Sequence, residues 1–339
     1  MLLNIVKKIP IGIDATSIAI TDDHVVTTTA MDDFCVMSDI NQTGKGALSA
    51  QQFTGPAGRN QVLFSGKNTV VALMNGRSEA LIAYSGLEMT VGFGHREINN
   101  VSVSADGESV AFFLEDLSLP GLDEMYYGQV DNIYIVKMAQ IAMPGLEVGS
   151  GQCLDLGLKV ADSQKLIDAG MLVTMRPRYT VEGAPYYSVL AGAFSEDSQH
   201  LFVLMHEAET ELLMCYLFTN DGQPVEMDFF DDIKNTGENN RCCVIGNIAY
   251  SIANKRSILY AYNMEEHSTF AFKLEGKYFI DIAVFKGQLY ALVWSQSSRL
   301  YELLDDQFNV ITYDSNYGAL AASEEYLMVS SKNIVYVFK

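Results

Sequence analysis

Five histidines are the first residues to test for metal or acid–base chemistry: His24, His95, His200, His206 and His267. None has the i, i+4 histidine partner or the nearby cysteine of a common zinc site. His200 and His206 flank a predicted strand, which places them at its opposite ends. We therefore expect surface or strand-edge histidines and no histidine metal ligand.

Acidic clusters are the second candidate, at Asp22-Asp23, Asp32-Asp33, Asp228 to Asp232 and Asp305-Asp306. Three or more carboxylates that converge with backbone carbonyls can bind Ca²⁺. Neighbouring residues of a strand point to opposite faces, and the paired aspartates mostly fall in predicted turns, where water solvates them. The run DFFDDIKN, from Asp228, is the best calcium candidate, but it lacks the DxDxDG spacing, so we predict no metal and no cofactor.

Nucleophilic and phosphate-binding motifs give no stronger signal. The sequence has no GxSxG elbow and no catalytic cysteine signature. Gly44-Lys45-Gly46 and Gly92-Phe93-Gly94 lack the context of a phosphate-binding loop and are interpreted as inter-strand turns. We predict no catalytic residue, although loops from several repeats can assemble an active site that leaves no contiguous motif.

The charge balance restricts the partners. The chain carries 42 acidic and 22 basic residues, a formal net charge of -20. This charge repels nucleic acid and anionic membranes, so neither is expected as a partner. The excess carboxylates either keep the protein soluble or face a protein partner with a basic surface.

Cysteines and hydropathy indicate the compartment. Cys242 and Cys243 are adjacent, the total of five cysteines is odd, and no CxxC pair occurs. The opening MLLNIVKKIPIGID has two lysines after a short apolar stretch and no cleavage site, and no run reaches the roughly 18 apolar residues of a membrane span. These features favour a cytoplasmic protein.

The elements that would position any site come from a repeat. A unit of strand, polar turn and more aromatic or β-branched strand recurs, and most copies continue into a third strand. The copies span Ser17 to Thr29, Gln61 to Met74, Val101 to Glu115, Ala191 to Met205, Cys243 to Ala253, Ile280 to Trp294 and Ala319 to Ser330. Most start roughly 40 to 50 residues apart, the spacing of four-stranded propeller blades. In the clearest copy, Asp106-Gly107 predicts a type I′ hairpin turn.

This pattern resembles β-propellers in general, the WD40-like ones included, along nearly the whole chain. It matches no specific propeller family, because Trp294 is the only tryptophan and no Gly-Gly pair recurs. The resemblance implies one all-β domain over residues 1–339, a seven-bladed β-propeller of four-stranded antiparallel blades.

Ring closure makes a further prediction. The last repeat supplies only three strands, and the strand-like run Leu2 to Ile9 has no blade of its own. We predict that this N-terminal run pairs beside Ile334 to Phe338 as the outer strand of the last blade, which would protect an exposed edge.

The interval between Val101 and Ala191 is about twice the usual spacing, and an eighth, degenerate blade or an insertion would explain it. We prefer an insertion at residues 139–187, between blades 3 and 4, with a short helix in ADSQKLIDAG capped by Asp162 or Ser163 and ended by Gly170. Long excursions in compact domains are usually functional or disordered, and apolar residues such as Leu156, Leu166 and Met171 favour order. We place the candidate partner-binding site at Arg176, Arg178 and Tyr179, because arginine and tyrosine are enriched at binding hot spots, with surface ion pairs as the alternative role of the arginines.

Together these features predict a non-catalytic protein–protein interaction scaffold or a structural subunit of a larger assembly. The alternative is an enzyme or small-ligand binder that uses the central channel of the propeller.

Overall fold

The fold is a closed ring of β-sheets. The computed structural model describes residues 3–11, 17–21, 24–28, 35–39, 48–49, 63–67, 69–74, 78–84, 87–94, 96–114, 132–138, 153–156, 160–175, 187–207, 212–234, 241–253 and 256–339. We number the sheets around the ring by the chain order of their inner strands. Each inner strand contacts the inner strand of the next sheet, and the last contacts the first, so the ring is closed.

The first three sheets contain most of the irregular features. Sheet 1 consists of β2 (Ser17–Ile20), β3 (His24–Thr28), β4 (Cys35–Asp39) and β5 (Leu48–Ser49). Sheet 2 consists of β6 (Leu63–Gly66), β7 (Thr69–Met74), β8 (Glu79–Tyr84), β9 (Leu87–Gly92) and β13 (Cys153–Asp155). Sheet 3 consists of β10 (Ile98–Val103), β11 (Ser109–Leu114), β12 (Ile133–Lys137) and β14 (Leu172–Met175).

The remaining sheets are regular meanders. Sheet 4 consists of β15 (Tyr187–Phe194), β16 (His200–Glu207), β17 (Leu212–Thr219) and β18 (Pro224–Lys234). Sheet 5 consists of β19 (Cys242–Ile245), β20 (Ile248–Ala253), β21 (Ile258–Asn263) and β22 (Ser268–Phe272). Sheet 6 consists of β23 (Lys277–Phe285), β24 (Gln288–Ser295), β25 (Leu300–Leu304) and β26 (Val310–Asp314). Sheet 7 consists of β27 (Tyr317–Ala322), β28 (Leu327–Ser331), β29 (Ile334–Phe338) and β1 (Ile5–Pro10).

The prediction of seven four-stranded antiparallel blades is wrong. Within the described ranges, six sheets have that form, and sheet 2 has five strands. Its extra strand, β13, pairs with β9 in parallel, with Cys153 opposite Thr90 and Asp155 opposite Gly92. A parallel partner must arrive by a long crossover, and the segment between β12 and β14 provides it.

That segment also bears on the predicted insertion. Strand β14, which falls within residues 139–187, is the outer strand of sheet 3 and pairs with β12. The helix α1 (Val160–Asp168) begins before Asp162 and Ser163, so neither is its N-cap. Gly170 ends it as predicted, with φ of 70°, and the Met171 N–H donates to the Leu166 carbonyl (2.8 Å).

The core is divided among the interfaces between neighbouring sheets. Leu156, Leu166 and Met171, from the long segment, are buried in the cluster that sheets 2 and 3 share. They therefore pack on the propeller itself. No helix among the described residues is long and apolar enough to cross a membrane.

Inner strands use small residues because they converge around the axis. A Cβ added to Gly192 of β15 would lie 2.4 Å from Phe113 Cζ of sheet 3, and one added to Gly66 of β6 would lie 2.3 Å from the Ser104 carbonyl oxygen, also of sheet 3. The small inner residues of the repeat pattern are therefore a packing requirement.

The predicted ring closure is present. Strand β1 pairs antiparallel with β29, with Ile9 opposite Val335 and Ile5 opposite Phe338. Ile9 and Ile11 are buried between sheets 7 and 1. The N-terminal strand thereby links the last sheet to the first.

Candidate functional site

The first candidate site is the central channel, around which the inner strands are arranged. It encloses about 570 Å³ and is lined by the inner strand of every sheet. Its wall combines aliphatic residues such as Ile20, Val103 and Leu320 with polar and charged ones. Its polar groups include Asn100 and Asp281, on the inner strands of sheets 3 and 6, and Arg241, just before the inner strand of sheet 5.

Asp281 is the most connected of these polar groups. Its Oδ1 accepts the N–H of Ile282 (3.0 Å) and lies 3.5 Å from Arg241 Nε, and its Oδ2 accepts the N–H of Leu320 (3.1 Å). Asp281 stands at a register shift of β23, and Asn100 stands at the corresponding shift of β10 and accepts the Val101 N–H (2.7 Å). Both side chains thus satisfy backbone donors that bulges release from the ladder.

The two channel thiols are kept neutral by burial. Burial raises the pKa of Cys242 to about 12, although a hydrogen bond with Ser251 acts to lower it. Burial, Cys242 and the Asp281 carboxylate raise the pKa of Cys243 well above its usual value. A neutral thiol is a poor nucleophile, so the arrangement does not favour cysteine catalysis at neutral pH.

One end of the ring carries a strong negative charge. Strand directions alternate in a meander, so the turns between first and second strands and those between third and fourth strands lie at the same end, which we call the hairpin face. Apart from the long connection between β12 and β14, the described turns of this face contain three lysines, Lys67, Lys286 and Lys339. They contain eleven carboxylates: Asp106, Glu108, Glu196, Asp197, Asp221, Glu265, Glu266, Asp305, Asp306, Glu324 and Glu325.

A shared turn fixes several of these carboxylates. In Ser104-Ala105-Asp106 and Ser195-Glu196-Asp197, the serine hydroxyl donates to the aspartate Oδ1, at 2.5 Å in each case. Thr219 and Asp221 form the same pair. Of the pair predicted to form a type I′ turn, only Gly107 has a positive φ (74°), because the chain makes this wider turn instead. The Ser195 hydroxyl and the Gln199 N–H lower the pKa of Asp197, which keeps it charged.

Exposed apolar side chains border the gap at the outer rim between sheets 5 and 6, which we call the outer groove. We define this outer groove by Phe270 on β22 and by Val310 and Tyr313 on β26, which are 50%, 47% and 65% exposed. Its floor is the contact between Phe272 and Phe308, with ring centroids 5.3 Å apart. Both of these aromatic rings are half-buried.

Strand alternation sets the direction of the groove walls. Phe270 lies on the same side of β22 as Phe272, which faces sheet 6. Val310 is opposite Leu304, which packs toward sheet 5, and Tyr313 is opposite Glu302 on that same side of β25. The three exposed side chains therefore lie on the sides of β22 and β26 that face the gap between sheets 5 and 6.

Charged residues lie at both ends of the outer groove. Glu265 and Glu266 precede β22, and Asp305 and Asp306 precede β26, so four carboxylates lie at its hairpin-face end. At the other end, Lys277 Nζ lies 2.7 Å from Glu302 Oε2. Although burial acts to raise it, the pKa of Glu302 is lowered, because Lys277 and nearby serine hydroxyls stabilise the carboxylate.

The structure describes some of the sequence-predicted sites but not others. The candidate partner-binding residues Arg176, Arg178 and Tyr179 and the loop Gly44-Lys45-Gly46 lie outside the described residues. His200 and His206 lie near opposite ends of β16, as predicted. The run from Asp228 to Asp232 lies on β18 rather than in a turn. Among the described residues, no three His, Cys, Asp or Glu side chains are grouped to hold a metal ion.

The outer groove and the Arg241–Asp281 pair were missed by sequence reasoning. Arg241 and Asp281 are far apart in the chain and belong to no local motif. The Ser/Thr-x-Asp pattern at positions 104, 195 and 219 was the one available signal for the shared turn.

Comparison with known structures agrees with the ring geometry. The chain aligns with the β-propeller domain of Cps50 (Swd1) from Myceliophteria thermophila at 10% identity, covering 99% of each chain, with a TM-score of 0.59. The chain folds as a β-propeller. The propeller also aligns with hydrazine synthase from Kuenenia stuttgartiensis at 9% identity, covering 97% of this chain and 96% of that one, with a TM-score of 0.59. A chain of a mitotic checkpoint complex aligns at 9% identity over 99% of the propeller and 91% of its own length, with a TM-score of 0.56.

Sequence comparisons do not narrow this assignment. No protein-family model and no curated protein matches the sequence. Identities of 9–10% show the fold alone. The general resemblance to β-propellers is confirmed, without a specific family.

Proposed function

We propose that this propeller is a non-catalytic protein-interaction scaffold that binds a partner with a basic surface. The observation that carries the proposal is the hairpin face, where eleven carboxylates oppose three lysines in the described turns other than the long connection between β12 and β14. A rigid surface with one sign of charge speeds and orients the encounter with a partner of the opposite sign.

The turn chemistry supports this role. Asp106, Asp197 and Asp221 are held by hydroxyl groups at the start of their own turns. Their positions are therefore set before a partner arrives, which reduces the conformational entropy lost on binding.

The channel chemistry also favours a scaffold. Asp281 is engaged by two backbone N–H groups and Arg241, and the neighbouring thiols are neutral. These groups stabilise the junction of the inner strands. The similar chain from the mitotic checkpoint complex is, as the name of that complex says, an example of this fold within a protein assembly.

The test is crosslinking and affinity purification of the tagged chain from its native source. A variant with Glu266→Gln, Asp306→Asn and Glu324→Gln should retain its partner at least about tenfold less well, and added salt should weaken retention of the unmodified protein. The matched control neutralises Glu97, Glu275 and Asp314 at the opposite end and should bind normally. Equal retention by both variants would reject the hairpin face as the binding surface.

A small-ligand role for the channel is the second candidate. The channel volume of about 570 Å³ falls within the range of small-molecule sites. A thermal-shift screen of small anions and metabolites, with Arg241→Gln as the variant, would test this candidate. A ligand that raises the melting temperature of the unmodified protein but not of the variant would support it.

A further inference from the structure

We propose that the outer groove binds a short extended segment of a partner protein in which apolar side chains alternate with lysine or arginine. This inference rests on the proposed scaffold function and names the surface that would anchor the partner. It adds a contact that is distinct from the general charge of the hairpin face.

The apolar part of the segment is inferred from the groove walls. Phe270, Val310 and Tyr313 are 50%, 47% and 65% exposed and lie on the strand sides that border the gap between sheets 5 and 6. Large side chains grouped on opposing walls can enclose an apolar partner residue, and buried aromatic anchors contribute much of the free energy of binding.

The extended conformation is inferred from the strand edges. Within the described sheets, β26 pairs with β25 and β22 pairs with β21, and the outward edge of each has no neighbouring strand. Five residues of β26 span about 17 Å, room for roughly five residues of an added strand. An extended segment along this edge could hydrogen-bond to the strand and direct alternate side chains into the groove.

The basic part of the segment is inferred from charge complementarity. Glu265, Glu266, Asp305 and Asp306 border the hairpin-face end of the groove. The same charges disfavour a second copy of this chain as the occupant, since each copy carries a net charge of -20.

The strained turn at the groove floor is consistent with a maintained shape. Phe308 has a φ of 60°, a conformation that bulky residues rarely adopt. The Asp305 Oδ1 accepts the N–H groups of Gln307 (3.0 Å) and Asn309 (2.7 Å), which holds the turn around it. The Phe308 ring packs on Phe272 and also on Phe279, with centroids 6.3 Å apart in the second pair.

The test uses the full chain and a fluorescent seven-residue peptide of alternating lysine and valine, with binding measured by anisotropy. The Phe270→Ser/Tyr313→Ser variant should bind this peptide at least about tenfold more weakly, as expected for the loss of hot-spot contacts. Val225→Ser is the matched control, because Val225 is 51% exposed on the outer strand of sheet 4. It should bind as the unmodified protein does.

Two further arms separate charge from apolar contact. Replacing the peptide valines by serine, or its lysines by glutamate, should each abolish most of the binding. Glu266→Gln with Asp306→Asn should weaken binding more than Glu196→Gln with Glu325→Gln. Circular dichroism checks folding, and Tyr313→Ala alone replaces the double variant if the latter misfolds.

The outcomes distinguish this inference from the proposed function. Undiminished peptide binding by the groove variants, equal binding of the serine peptide, or no peptide binding at all overturns the groove proposal. If the native partner is retained by the groove variants but lost when the hairpin face is neutralised, the groove proposal fails while the scaffold function stands. If the peptide binds as expected but no partner co-purifies, the scaffold function fails and the groove remains a peptide site.

Discussion

A single carboxylate joins three neighbouring sheets at the channel wall. Asp281 belongs to sheet 6, pairs with Arg241 at the start of sheet 5, and accepts the backbone N–H of Leu320 in sheet 7. It is 7% exposed, so water cannot easily replace these contacts. Asp281 therefore couples the positions of three inner strands.

Replacing Asp281 with alanine should lower the free energy of unfolding by about 2–4 kcal/mol, because buried backbone donors and Arg241 lose their acceptor. Asp281→Asn should cost less, since its amide oxygen still accepts a hydrogen bond. Urea titration followed by circular dichroism measures both. Equal stability of the alanine variant and the unmodified protein would contradict this account.

The channel thiols should react slowly in the folded protein. Because the pKa of Cys242 is raised to about 12, its thiolate fraction at pH 8 is roughly a thousandfold below that of a free cysteine. Iodoacetamide labelling resolved by peptide mass spectrometry should show Cys242 and Cys243 reacting at least about a hundredfold more slowly before unfolding than after it. Fast labelling at pH 8 without unfolding would mean that these thiols are ionised.

Sequence reasoning recovers residue roles only where the cause is local. The turn at Asp106-Gly107 was located correctly because glycine and aspartate mark turns, although its type was wrong. The Asp281–Leu320 contact joins residues 39 positions apart, and no local sequence pattern predicts it. The exposure of Phe270 and Tyr313 depends on how two sheets diverge, which the strand pattern does not specify.

At the scale of elements, regular meanders were predictable and the long segment was not. Alternating apolar residues and polar turns identified the strands of sheets 4 to 7. Strand β13 has only three residues, Cys153–Asp155, too few for an alternation signal, and its partner β9 lies far upstream. Strand β14 has four residues and follows a helix, so the pairing that completes sheet 3 depends on tertiary packing.

Gly222, at the contact between sheets 3 and 4, and Gly246, in the turn between β19 and β20, provide a matched pair of glycine substitutions. Gly222 has a φ of 86°, and an added Cβ would lie 2.7 Å from Val173 Cγ1, whereas Gly246 has a φ of 53° and nothing within 4 Å. Gly222→Ala should cost about 2–3 kcal/mol from strain and overpacking, and Gly246→Ala about 1 kcal/mol from strain alone. Urea titrations that give equal losses would show that the contact with Val173 adds nothing.

Strand β1 offers a second matched pair. Ile9 is 5% exposed between sheets 7 and 1, whereas Val6 on the same strand is 53% exposed. Ile9→Ala should lower the free energy of unfolding by about 2–4 kcal/mol, and Val6→Ala by less than about 0.5 kcal/mol. If the two substitutions have equal effects in thermal and urea unfolding, β1 does not anchor the ring through its buried face.

At the scale of the whole molecule, circular permutation tests the closure. The Lys339 N–H donates to the Asn4 carbonyl (3.2 Å), so a short linker can join the ends. In a permutant opened at Ser315-Asn316, the four strands of sheet 7 follow one another in the chain. Sheet 7 is then no longer built from both ends of the chain. This permutant should fold but unfold at a lower urea concentration than the unmodified protein.

A permutant opened at Lys332-Asn333 is the matched control, because it still builds sheet 7 from both ends of its chain. Its urea midpoint should lie closer to that of the unmodified protein. The opposite order of the two midpoints would show that packing between sheets alone holds the ring together.

The pairing of β1 with β29 also orders events during synthesis. Sheets 1, 4, 5 and 6 can each form as the ribosome releases their consecutive strands, but β1 must wait for β29 while every intervening sheet is translated. Until then, Ile9 and Ile11 lack the sheet 7 side of their binding surface. A translation product truncated before Ile334 would leave these side chains exposed, which chaperones and proteases recognise, so ring closure also distinguishes chains that contain β29 from those truncated before it.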